Sequence, residues 1–116
     1  MILVNLILGG IIVASLSGIF KIFWNDILNF MQRAILKVKQ IVTGIVEGAK
    51  ILIQKVREGI KEISRNYSKV DGHWEETTVT RTIPESQVPP DILAKAAYSE
   101  ETDISNDMEL VLENAG

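Results

Sequence analysis

The chain has 116 residues, 47% of them hydrophobic, with no cysteine, one histidine (His73) and a net charge of −3. That length allows one domain with an anchor or a tail. Without cysteine there is no disulfide framework or thiolate metal site, and a single histidine excludes a multi-histidine cluster. The net charge hides an asymmetry: Lys21 to Val70 carries ten Lys/Arg against four acids (+6), and Asp71 to Gly116 carries eleven acids against Arg81 and Lys95 (−9). A basic half beside an apolar segment, followed by an acidic half, predicts a surface binder with a charged tail.

Residues 1–24 come first. Ile2 to Phe20 holds no charge, and Ile22-Phe23-Trp24 extends the apolar run past Lys21. As a helix this reaches roughly 28–34 Å, against a hydrocarbon core of ~30 Å, so the expectation is a transmembrane or membrane-inserted helix. Lys21 and Trp24 would be its interfacial anchors. The basic residues follow the span, which places the N-terminus outside and the C-terminus in the cytoplasm. A cleaved signal peptide lacks its positive n-region here, and a core helix of an oligomer would have to be buried all round. Gly10, Ala14 and Gly18 recur every fourth residue, the spacing of close helix–helix packing in membranes.

Residues 25–66 read as one basic amphipathic helix capped at Asn25 or Asp26. Apolar positions from Leu28 to Ile63 fall at three- and four-residue steps, and the stripe drifts as on a straight helix. Lys37, Lys39, Lys50, Lys55 and Arg57 are then the basic residues offered to an anionic lipid surface. Gly44 and Gly48 form a Gly-x-x-x-Gly pair, expected at a second helix contact.

Residues 67–83 predict a β-hairpin around Asp71-Gly72, pairing Val70 with His73, Lys69 with Trp74 and Tyr67 with Glu76. Residues 84–116 are punctuated by Pro84, Pro89 and Pro90. They predict a short helix over Pro90 to Tyr98 and then an acidic, mobile tail. Met108 to Leu112 offers a docking peptide or short helix within that tail.

His73 lies near Asp71, Glu75 and Ser68, yet this hairpin register sets Ser68 against Glu75, and a two-stranded ribbon cannot build an oxyanion hole. No phosphate loop, dinucleotide fingerprint or calcium loop occurs.

The fold class expected is therefore mainly α: transmembrane helix, amphipathic helix, small β-hairpin, short helix and tail. The function expected is that of a non-enzymatic, membrane-anchored, self-associating protein, holin-like or effector-like, without cofactor. Its partners would be the lipid bilayer, further copies of itself and a protein partner for the hairpin or tail, but not nucleic acid. The 17 isoleucines point to an AT-rich bacterial or phage genome. The alternative is a soluble oligomeric helical scaffold or adaptor.

Overall fold

A computed structural model describes residues 2–10, 12–13, 18–96 and 100–115. The elements in chain order are β1 (Ile2–Leu3), α1 (Val4–Leu8), α2 (Gly18–Ile41), β2 (Ile45–Val56), β3 (Gly59–Val70) and β4 (His73–Ile83). A 3₁₀ turn at Glu85–Gln87, α3 (Pro90–Lys95), β5 (Thr102–Asp103) and α4 (Ser105–Ala115) complete the chain. The strands form one five-stranded antiparallel sheet in which β2, β3 and β4 are a meander. β1 and β5 pair with the other edge of β2. The fold is thus not mainly α, and the sheet is its frame.

The apolar N-terminus is broken into pieces. α1 ends after five residues at Gly9; Gly10 has φ +67° and Gly18 has φ +62°, backbone conformations that glycine adopts readily. Among the described residues no helix is long and apolar enough to cross a membrane. This overturns the transmembrane helix over 1–24 and the single-pass placement derived from it. Glycines read as a helix-packing face act here as breaks; Ala14 lies outside the described residues.

α2 carries the apolar stripe expected of the 25–66 segment, but only as far as Ile41. Its buried side chains, Phe23, Trp24, Ile27, Leu28, Phe30, Met31, Ala34, Ile35 and Val38, repeat at helical spacing along one face. Trp24 is buried, its ring edge-on to Phe23 at 5.0 Å, so it is a core residue rather than an interfacial anchor. Lys21 is exposed.

The amphipathic helix expected to run on to Asn66 stops because the chain turns β-forming. Thr43-Gly44 interrupts it, and Ile45, Val46, Ile51, Ile53 and Val56 are β-branched residues that suit a strand better than a helix. Arg57-Glu58 then forms the tight turn that brings Val56 opposite Gly59. Gly59 is required there: at φ +149°, a Cβ would lie 2.3 Å from the Ile83 carbonyl oxygen. The three- and four-residue apolar steps that continued past Ile41 arise from two strands with residues buried on both faces.

A β-bulge sets the register of β2. Pairing shifts between Val46 and Gly48, so Glu47 stands out while Val46 and Ala49 both face inward, where both are buried. At the other turn Asp71 (φ 49°) and Gly72 (φ 83°) adopt the positive angles of a type I′ hairpin. The register pairs Val70 with His73, Lys69 with Trp74 and Tyr67 with Glu76, as the Asp-Gly turn implies. The strands run much further than a small hairpin, pairing from Val70–His73 to Ile60–Ile83.

α2 covers one face of the meander. Ile51, Ile53, Ile60 and Ile83 join the α2 stripe in the main core, each fully buried side chain of this size contributing about 1.5–3 kcal/mol. The central strand presents Glu62, Ser64, Asn66 and Ser68 to this side, all fully buried. The short serine and asparagine side chains let the helix lie close on the sheet. Ile104, Met108 and Leu112 of the C-terminal segment, the last two on α4, pack into the same core.

Candidate interaction face

Alternation along the strands places every second residue on the face away from α2. The registers align these residues in rows: Ile45–Lys69–Trp74, then Gly48–Tyr67–Glu76, then Lys50–Arg65–Thr78, then Leu52–Ile63–Thr80, then Gln54–Lys61–Thr82. Leu3 extends the second row, opposite Gly48. Four cations against Glu76 make this face basic.

The first two rows are the most exposed part. Ile45 is 73% exposed, Leu3 63% and Trp74 56%. The Lys69 ammonium lies 6.0 Å from the Trp74 ring centre, and that of Lys50 lies 5.8 Å from the Tyr67 ring. Both distances are in the range of cation–π attraction, which aligns the lysine stems along the aromatic faces. Arg65 reaches Glu101 at 2.5 Å and Glu76 at 3.5 Å. In mid-face Leu52 and Ile63 are a buried apolar pair outside the main core cluster.

On the helix-covered face, Arg81 pairs with the Glu62 carboxylate, bonds the Asp26 carboxylate at 3.1 Å and stacks 4.6 Å over Phe30. Burial raises the Glu62 carboxyl above the ordinary value of 4.5; Arg81 opposes this and Asp26 adds to it. Asn66 Nδ2 donates to the Ser64 carbonyl, Ser64 Oγ and the Thr77 carbonyl. This cluster ties helix to sheet.

Two clefts lie near the N-terminus. One, about 330 Å³, is lined by Gly10, Ile12, Asn25, Leu28, Asn29 and Gln32. Its amides tie the chain together: Val13 N–H donates to Asn25 Oδ1, and Gln32 Nε2 donates to the Ile7 carbonyl. The other, about 310 Å³, lies between Leu3, Leu6 and the α4 residues Glu109, Leu112 and Glu113. Neither gathers a nucleophile and a base. Among the described residues no group of three His, Cys, Asp or Glu could hold a metal ion. His73 is exposed at the β3–β4 turn beside Glu75, and Ser68 is buried opposite Glu75.

The residues read from sequence as lipid-facing are scattered by this geometry. Lys37 and Lys39 are exposed on α2 and Arg57 sits in the β2–β3 turn. Lys55 pairs with Glu85 at 3.3 Å, while Lys50 alone joins the basic sheet face. Gly44 precedes β2, its Cβ position 3.1 Å from the Lys69 carbonyl oxygen, and Gly48 lies in β2. Neither stands on a helix. The sequence placed Trp74 and Tyr67 on one face but missed Ile45, Lys50 and Arg65 beside them. The alternation Lys50, Leu52, Gln54 against Ala49, Ile51, Ile53 was the available signal.

No protein family, no curated protein and no solved structure matches this chain.

Proposed function

We propose that the chain is a non-enzymatic adaptor whose exposed sheet end, at Leu3, Ile45, Lys69 and Trp74, binds an extended, acidic segment of a partner protein that also carries apolar side chains. The observation that carries this is the exposed row Ile45–Lys69–Trp74, flanked by Leu3 and Tyr67. Aromatic and aliphatic groups rimmed by lysine suit a peptide that alternates carboxylates with apolar residues. The Glu101–Arg65 pair within the chain shows the kind of contact such a carboxylate makes on this surface. Exposed aliphatic groups favour a peptide over single-stranded nucleic acid, whose bases would use the aromatic rings and leave Leu3 and Ile45 bare.

The test is titration of the full chain with a synthetic peptide that alternates glutamate with leucine and phenylalanine. The expected result is saturable binding that weakens with salt and falls roughly tenfold in Lys69→Glu. No saturable binding, or tighter binding of an oligothymidylate than of the peptide, overturns the reading.

A further inference from the structure

The two edges of the sheet are treated differently by the chain. The β2 edge is closed by two separate segments: β1 pairs at Gly48–Ala49 and β5 at Leu52–Ile53. Between them the Ile51 N–H donates to Ser105 Oγ (3.0 Å), and its carbonyl accepts from Ile104 N–H (2.9 Å). The β4 edge has none of this. Among the described residues no strand pairs with its outer side. It is eleven residues long and contains no proline and no lysine, and its pairing with β3 has no bulge. Those are three of the usual devices that blunt an open edge; its charges are Glu75, Glu76 and Arg81.

We infer that β4 is a dimerisation edge, on which a second copy of the chain lays its own β4 antiparallel, with the two-fold axis at Thr78. The direction of the backbone groups follows from the hairpin. In a two-residue turn Val70 and His73 exchange both hydrogen bonds, so alternate residues from His73 to Ile83 bond inward to β3. Trp74, Glu76, Thr78, Thr80 and Thr82 therefore direct their N–H and C=O groups outward.

The register is fixed by three requirements. Side chains must stay on their own faces, which excludes any one-residue slip. A two-fold axis at Thr78, the midpoint of His73–Ile83, pairs every residue of both strands. It also sets Glu75 opposite Arg81, the acid opposite the base, and faces Glu76 with Thr80. Moving the axis to Thr77 or Val79 leaves two residues of each strand unpaired. In the first case His73 then meets Arg81; in the second, Glu75 meets Ile83. With the axis at Thr78 the outward pairs are Trp74 with Thr82, Glu76 with Thr80 and Thr78 with itself, each exchanging two main-chain hydrogen bonds. The two outward faces then join side by side into one continuous surface.

The experiment uses the full chain, which has no cysteine of its own. Sedimentation equilibrium should show a concentration-dependent dimer. Thr78→Pro removes an N–H that points away from β3, on an edge where proline is tolerated, and should weaken the dimer roughly 30-fold with an unchanged circular dichroism spectrum. In Thr78→Cys the two sulfurs come from Cα atoms about 5.5 Å apart, within disulfide range, so mild oxidation should cross-link the dimer. In Thr80→Cys the equivalent atoms lie about 13 Å apart along the strands and should not cross-link. A parent chain that stays monomeric overturns the inference. So does a dimer that Thr78→Pro leaves intact, or cross-linking through residue 80 rather than 78.

Discussion

Both faces of the β3 strand carry polar side chains, yet those on one face are fully buried in the floor of the core and those on the other reach solvent. Inside stand Glu62, Ser64, Asn66 and Ser68, fully buried under α2; outside stand Lys61, Arg65 and Lys69. Side-chain length separates them. Serine and asparagine are short enough to sit beneath a helix, where Asn66 Nδ2 reaches two backbone carbonyls, whereas lysine and arginine need room to carry their charge into water. Hydrophobic alternation, the usual sign of a half-buried strand, is therefore absent from β3 even though its two faces are sharply different.

The largest effect expected from this contrast is on the inner side. Ile51→Ala deletes a fully buried side chain of the main core and should cost about 2–5 kcal/mol in urea unfolding. Lys61→Ala, on the outer face of the neighbouring strand, should stay within about 0.5 kcal/mol of the parent. Equal losses at both sites would remove the distinction between the faces.

Polar residues inside should matter through their bonds. Asn66 Nδ2 donates to two carbonyls and to Ser64 Oγ, so Asn66→Ala removes these buried side-chain bonds and leaves Ser64 Oγ without this donor. The expected cost is about 1–3 kcal/mol, measured in the same way. A neutral effect would mean that the polar line is passive filler.

How far these features could be read in the sequence varies along the chain. The α2 stripe and the Asp71-Gly72 turn were legible because each rests on local physics: an amphipathic period in the first, and positive φ angles in the second. The strands on either side of Arg57-Glu58 were not. Ile45 to Val56 is buried on both faces in its middle, at Ile51, Leu52 and Ile53, so its apolar residues mimic the steps of a helix. The bulge at Glu47 shifts the alternation by one residue, which erases the period-two signal at the start of the strand. The N-terminal apolar run misled for a different reason. Hydropathy alone records burial without saying whether lipid or protein supplies it, and the positive φ at Gly10 and Gly18 breaks the run into segments. The candidate face was half legible: the hairpin register put Tyr67 with Trp74, but the residues that β2 adds to that face depend on a strand read as helix.

A subtler effect concerns pH. The Glu62 carboxyl is raised above 4.5 mainly by burial, with Arg81 working against the shift and Asp26 with it. A raised folded value means that the native state favours the proton. The stabilising contribution of this group is therefore complete below about 4.5 and is lost as pH rises through the folded value. Glu62→Gln cannot titrate. The parent should match the variant most closely in acid and fall behind it as pH rises through that window, in unfolding curves taken at a series of pH values. Parent stability that climbs relative to the variant over the same window would show that the Arg81 pairing outweighs burial.

The smallest effect on stability belongs to Trp74, and it sharpens the contrast most. Tryptophan is ordinarily a large contributor to a core, and Trp24 shows this on the helix, where it is buried against Phe23. Trp74 lies on the outward face, 56% exposed, with the Lys69 ammonium 6.0 Å from its ring centre, so far less packing is lost when it is truncated than at Trp24. Trp74→Ala should change unfolding free energy by less than about 0.5 kcal/mol, whereas Trp24→Ala should cost about 3–5 kcal/mol. Binding of the acidic, apolar peptide should follow the reverse order: a central exposed aromatic removed from a binding face commonly costs tenfold or more in affinity, about 1.4 kcal/mol. Fluorescence separates the two rings. In the parent the exposed indole should be quenched by iodide and protected by peptide, and the emission left in Trp74→Ala, that of buried Trp24, should respond to neither. A Trp74→Ala chain that binds the peptide as tightly as the parent would place the partner elsewhere and leave the aromatic row without a role.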